Sequence, residues 1–410
     1  MNGAFNPWPV VRADLRRNRM LALTTVLLVA ISVATGIAVI SQERALRQGS
    51  ARAADDFDIL MGAPGSPTQL VLTSVYLRPL ALPLLDGDFL LKAGIARGAR
   101  YAAPIAFGDN WQGYPIVGTI AEFANRGGAL PPVEGRVFSA RGEAVVGASV
   151  KLALGAQIIP QHGQHRDADD DGDAHEHGSV HYDVVGRLPP LGNVWDTAIL
   201  VPVEDVWAVH GLPEGHAADD PPHLGPPWNP AHLPGVPVIA LKPESVSAAY
   251  SLRTRFRTPR SIALFPAEVL NDLYVTLGNV RDLMSLLALA TQVLVVAAVL
   301  MSLLVGLLAR SRQFAVLRAI GASRAYVFCV VWSEVALLIG TGALAGLALG
   351  YGASLLLAAW LRTRTGFVMP VSLGMPEALL VGGLMLSGAA IAALPAWLAF
   401  RRSIAQGLTG

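Results

Sequence analysis

The chain is short of cysteine, lysine and charge, and each shortage excludes something. One cysteine, Cys329, stands among 410 residues, so no intrachain disulfide can form and cysteine usage says nothing about the redox compartment. Lysine occurs only at Lys92, Lys151 and Lys242, and none follows a glycine. The phosphate-cradling loop G-x-x-x-x-G-K-[ST] is therefore absent. The chain is not expected to be an enzyme, and any ATP is handled by a separate protein. Neither H-E-x-x-H nor C-x-x-C occurs, which removes the common catalytic zinc motifs. Charged residues make up 15% of the chain, against about 25% for a soluble domain, and the mean hydropathy is +0.47. Several segments therefore avoid water. The net charge of +1 gives no sign of a nucleic-acid partner, and none is expected.

What is present is apolar sequence in long runs. A helix needs about 20 apolar residues to cross roughly 30 Å of hydrocarbon. Four stretches qualify: Met20–Ile40, Leu283–Ala309, Ala325–Leu361 and Ala378–Phe400. The expected fold is an α-helical membrane protein with four transmembrane helices and an α+β extracytoplasmic domain inserted between helices 1 and 2. The expected divisions are a cytoplasmic segment 1–19, spans at 20–41, 283–309, 326–358 and 377–400, an external domain 42–282, a coupling helix 310–325, an external loop 359–376 and a cytoplasmic tail 401–410. The first run exceeds the core of a signal peptide and lacks a small-x-small cleavage site, so it is expected to stay as an anchor. Orientation follows arginine. Arg12, Arg16, Arg17 and Arg19 precede span one; Arg310, Arg312, Arg318 and Arg324 lie between spans two and three; Arg401 and Arg402 follow span four. That side is taken as the cytoplasm, against the contrary votes of Arg362 and Arg364.

Three features of these runs bear on function. Leu270, Leu273, Leu277, Val280, Met284 and Leu287 are spaced 3-4-3-4-3, a short heptad seam with no proline between the external domain and span two. It reads either as an amphipathic helix packed on its own domain or as a rigid stalk moving with span two. Gly342, Gly346 and Gly350 repeat every four residues, a ridge that admits another helix closely. Glu334, about 12 Å into span three at 1.5 Å per residue, either bonds a neighbouring helix near the cytoplasmic interface or serves a function. No string of intramembrane charges marks a solute path.

Between spans two and three stands "RSRQFAVLRAIGASRAYVF", which resembles the cytoplasmic signature of the FtsX/MacB-like permeases of ABC transporters. The resemblance extends to "FDILMGAPGSPTQLVLTSVY", "EAVVGASVKLALGAQI", "YDVVGRLPPLGNVWDTAILVPVEDVW" and "PAWLAFRRSIAQGL". It implies one span, a large external domain and three further spans in a bacterial inner membrane. It also implies a cytoplasmic ABC ATPase dimer as partner and a second permease, identical or homologous. The glycine ridge and heptad seam fit such pairing. Carried onto this chain, the ATPase-coupling positions are Arg312, Phe314, Leu317, Arg318, Gly321 and Ala322, with Gln313 where the family usually has a glutamate. The physical sense is an arginine-flanked short helix docking in a partner's groove.

All nine histidines fall between His162 and His232. The stretch "HGQHRDADDDGDAHEHGSVHY" lacks the apolar residues for a core and reads as a surface loop, 162–182. His162, His165, His175, His177 and His181, beside several carboxylates, suit Zn²⁺ or another transition metal bound weakly rather than as a tight cofactor. The Pro-rich loop 213–237 holds His216, His223, His232 and Trp228; it reads as a surface excursion, a strip for an envelope partner, or further metal ligands. The leading function is a permease that passes ATP-driven motion to its external domain for export or envelope work. The alternative is a regulator or metal sensor controlling an envelope enzyme.

Overall fold

A computed structural model describes residues 6–78, 80–162, 180–365 and 368–401, with some side chains, most of them within 277–314, 363–365 and 391–401, outside the description. The chain divides into two compact units: residues 1–47, 278–360 and 369–410 form one, and residues 48–277 with 361–368 form the other. The helices are α1 (Trp8–Arg17), α2 (Arg19–Ala54), α3 (Pro67–Tyr76), α4 (Asp88–Gly94), α5 (Ala121–Ala124), α6 (Val203–Val209), α7 (Val246–Phe256), α8 (Pro266–Ala309), α9 (Ser311–Ala319), α10 (Arg324–Thr365) and α11 (Met375–Arg401).

The first unit is helical. Two of its helices, α2 and α10, are long and apolar enough to cross a membrane, and shorter apolar stretches lie at Leu289–Ala298 of α8 and Met375–Ala390 of α11. Val29, Val33 and Ile37 of α2 pack with Val331, Val335 and Ala343 of α10 and with Val381 and Ala392 of α11. The glycine ridge explains this contact. A Cβ at Gly346 would stand 2.6 Å from the Ala30 carbonyl oxygen and 2.6 Å from Val33 Cβ; at Gly350 it would stand 2.7 Å from the Ala34 oxygen. Only a missing side chain lets the backbones approach so closely. The ridge is thus filled by α2 of the same chain and is not a surface for a second copy. Large apolar side chains point outward instead: Leu23 and Ile31 of α2, Leu294 of α8, Leu356 of α10 and Leu386 of α11 are all more than half exposed.

The second unit is built on a mixed sheet, the α+β character expected of the inserted domain. Its strands run in the spatial order Ile262–Leu264, Ile59–Gly62, Val238–Pro243, Ala99–Trp111, Tyr114–Thr119, Ile199–Pro202, Glu143–Val146, Tyr182–Arg187 and Glu134–Gly135. Tyr114–Thr119 pairs parallel with Ile199–Pro202, as does Glu143–Val146 with Tyr182–Arg187; the other neighbours in this order are antiparallel. The strands Ile59–Gly62 and Ile199–Pro202 are buried along their whole length, which is why they read as unbroken apolar runs rather than alternating ones. An aromatic knot forms part of the core: Phe123 lies 5.9 Å from Phe57 and 5.4 Å from Trp195 between ring centroids. The Arg126 guanidinium sits 4.2 Å over the Phe123 ring.

Three helices extend past the expected span limits. Helix α2 runs to Ala54, well beyond 41, because "SQERALRQGSARAA" contains neither glycine pairs nor proline to stop it. Helix α8 is unbroken over 44 residues, about 66 Å at 1.5 Å per residue. On its seam Leu270 is buried, Leu273 half-buried and Leu287 exposed; the side chains of Leu277, Val280 and Met284 lie outside the described set. Tyr274 of α8 meets Ser50 Oγ of α2, and Tyr76 Oη donates to the Ser50 carbonyl at 3.1 Å. Helix α10 continues to Thr365. Arg362, one of the two arginines against the orientation rule, lies where its charge acts favourably on Asp196.

Candidate functional site

The signature segment is shaped by two helix breaks. Helix α8 ends at Ala309, and Arg310 (φ −100°, ψ 5°) is the N-cap of α9. Its carbonyl accepts the Gln313 N–H at 2.9 Å. Helix α9 ends at Ala319 with Ile320 as its C-cap, and the next residue, Gly321, has a φ of +105°, a left-handed-side conformation that favours glycine. There Gly321 N–H donates to Arg318 O at 3.2 Å and Ala322 N–H to Leu317 O at 3.0 Å. Ser323 then caps α10, its Oγ accepting the Tyr326 N–H at 3.1 Å.

Of the predicted coupling residues, Gln313 and Gly321 are exposed, while Leu317, Arg318 and Ala322 are half-buried. Arg312 and Phe314 have helical backbone, and their side chains lie outside the described set. Ala315 is buried, whereas Val316 and Ile320 stand out into solvent. The outer side of α9 therefore carries the apolar groups Val316 and Ile320. Arg318 in its last turn also complements the helix dipole.

Beside this turn lies a cluster of buried charge. Arg310 Nη1 contacts Asp14 of α1 and donates to Glu334 of α10 at 3.0 Å to Oε1 and 3.2 Å to Oε2. The three side chains are 13%, 12% and 8% exposed. Asp14 also accepts from Asn18 Nδ2 at 2.7 Å. Glu334 was noticeable in the sequence as a lone acid in an apolar run, but its partners were not. A usable signal was available: Asp14 is the sole acid in the arginine-rich first nineteen residues. A second buried pair occurs in the same unit, where Arg44 Nη2 of α2 donates to both Glu377 oxygens of α11 at 2.8 and 2.7 Å. Glu377 is fully buried and also accepts the Gly374 N–H at 2.9 Å.

The histidines fare differently. His165, His175 and His177 lie outside the described residues. His162 is in a short strand whose backbone pairs with Asp109, and His181 is exposed. In the Pro-rich loop His216 stacks on Trp228 with centroids 5.2 Å apart and meets the His223 ring at 4.2 Å. His216 Nε2 lies 3.6 Å from Oε1 of Glu204, which accepts the Gly225 N–H at 2.6 Å. Burial pushes the Glu204 carboxyl up to about 7 and holds the His216 imidazole below its ordinary value. Two carbonyls, of Pro221 and Pro227, push His223 upward. Among the described residues no group of three or more histidine, cysteine or acidic side chains is arranged to hold a metal ion. His216, His223 and Trp228 are thus packed against one another, while much of the loop around them is exposed.

Residues 285–408 match the family model described as FtsX-like permease C-terminal. Among solved structures, the periplasmic region of MacB from Actinobacillus actinomycetemcomitans is 10% identical, covering 53% of this chain and 92% of that one, with a TM-score of 0.32. The extracellular domain of the noncanonic ABC-type transporter YknZ from Gram-positive bacteria is 12% identical, covering 50% and 98%, with a TM-score of 0.29. No curated protein matches the chain.

Proposed function

We propose that this chain, whose residues 285–408 match the FtsX-like permease C-terminal model, is the membrane subunit through which a cytoplasmic ABC ATPase works on an external domain. Helices α2, α8, α10 and α11 are the four spans, α9 is the docking helix, and the sheet unit faces outward. The membrane is the bacterial inner membrane, and two permeases share two ATPase subunits.

One observation carries this reading. Helix α8 runs without interruption from Pro266, beside the last strand of the sheet, to Ala309, where Arg310 opens α9. A continuous helix carries displacement along its axis, whereas a flexible linker absorbs it. Apolar side chains exposed on α2, α8, α10 and α11 suit lipid. Work is then done by motion, and coupling requires ATP states and external ligands to favour different conformations. The His-rich segment 162–182 adds transition-metal buffering outside the cell, an expectation that rests on composition alone.

Purification of the chain with its cognate ATPase in lipid nanodiscs tests this. ATP turnover is expected to depend on the permease, and Leu317→Asp to remove the ATPase from the complex. Zinc at sub-millimolar level is expected to change turnover. Surface labelling that placed the sheet unit in the cytoplasm, or an ATPase that never associates, would overturn the reading; indifference to zinc would remove only the metal component.

A further inference from the structure

The contact of Arg310 with Asp14 and Glu334 joins a helix near the start of the chain to two elements about three hundred positions further on. Asp14 comes from α1, Arg310 from the joint between α8 and α9, and Glu334 from α10. One nitrogen, Nη1, serves both carboxylates. The same residue's carbonyl holds the first turn of α9 through Gln313. Arg310 therefore fixes the docking helix by its backbone and ties α1 to α10 by its side chain.

The charges make the arrangement conditional. Two carboxylates face a single guanidinium in a site from which water is largely excluded, so the cation is what keeps the acids together. Without it, like charges in a low-dielectric setting repel. Two neighbouring contacts accompany the clasp: Tyr326 Oη reaches the Asn6 carbonyl at 3.4 Å, and Leu15 packs on the Val327–Val331 cluster. These contacts are weak or non-directional, and neither fixes the rotation of α9.

We propose that Asp14, Arg310 and Glu334 form a charge clasp that pins the N-terminal helix against α10 and sets the position from which α9 transmits motion. Arg310 is a positioning residue. It acts through α9 rather than on nucleotide, and α1 becomes part of the transmission rather than a passive leader. The proposal rests on the coupling role given to α9 above.

The test uses Asn6→Cys with Tyr326→Cys in a Cys329→Ser background, joined by a short bismaleimide, and ATP turnover of the permease–ATPase complex. Arg310→Ala is expected to lose most of the cross-link and to lower kcat about tenfold with KM for ATP unchanged and the ATPase still bound. The exchange Asp14→Arg with Arg310→Asp keeps one cation between two acids and is expected to restore both readouts. Glu334→Gln, which keeps the shape, separates charge from packing and is expected to weaken the cross-link less than Arg310→Ala. Unchanged cross-linking and turnover in Arg310→Ala would overturn the clasp, as would failure of the exchange to restore either. If no ATPase associates, the function proposed above fails, and the cross-link in the permease alone still decides whether the clasp exists.

Discussion

The two units of this chain bury opposite kinds of surface. In the sheet unit the core is filled by bulk: Trp195, Phe123, Trp207 and Tyr182 are buried, and the rings of Phe123 and Trp195 meet edge to face. In the helical unit close contact is made by absence. Gly342, Gly346 and Gly350 let α2 reach α10, and the large leucines stand outside. Water drives apolar bulk inward in the first case. Where lipid replaces water, that drive vanishes and close backbone approach with a few buried polar ties takes over. The pairs Arg44–Glu377 and Arg310–Glu334 are such ties.

The contrast can be broken by exchanging the two kinds of change. Adding bulk is expected to be worst in the helical unit. Gly346→Leu forces a side chain against the Ala30 carbonyl, a backbone atom that cannot swing aside, and is expected to cost about 5 kcal/mol, read as a fall in folded yield and in melting temperature in detergent. Removing bulk is expected to be worst in the sheet unit. Phe123→Ala leaves a void between Phe57, Trp195 and Arg126 and is expected to cost about 4 kcal/mol, read by hydrogen exchange of the sheet strands. Equal tolerance of both changes in both units would mean that one packing rule serves the whole chain.

A smaller effect sharpens the comparison on the polar side. Glu204 has its folded value pushed by burial from 4.5 to about 7, so folded chains keep a proton that unfolded ones have released. Its contribution is intact below about 4.5 and is lost as pH rises to about 7, in total roughly 3 kcal/mol. Glu204→Gln stays neutral throughout. Its loop, residues 213–232, is therefore expected to gain protection relative to the unaltered protein as pH rises from 4.5 to 7, with no further gain above. The Glu204 charge also raises His223, so both proteins are compared in a His223→Gln background. Hydrogen exchange of the loop in each protein at matched pH measures it; a difference independent of pH would show that Glu204 is already ionised.

Much of the architecture was legible before any coordinates. The apolar runs, the mixed αβ insert and the signature around Leu317 are properties of short windows of sequence, and the family match over residues 285–408 agrees with the resemblance read there. Helix ends were less legible. Helix α2 continues to Ala54 and α10 to Thr365, because hydropathy marks where a helix leaves lipid and not where it stops. The glycine ridge marks a contact surface in the sequence without naming its partner, and α2 of the same chain occupies it. The Pro-rich loop read as an excursion, yet His216, His223 and Trp228 meet beside Glu204.

By itself the sequence determined where the long apolar runs and the arginine-rich signature lie, and that no G-x-x-x-x-G-K-[ST] loop is present. Those outcomes depend on residues within a few positions of one another. Only the tertiary structure decided that Asp14 and Glu334 would share Arg310, and that Arg44 would meet Glu377. Pairings across some three hundred residues arise from how helices pack, and no local pattern of side chains encodes which buried charge will face which.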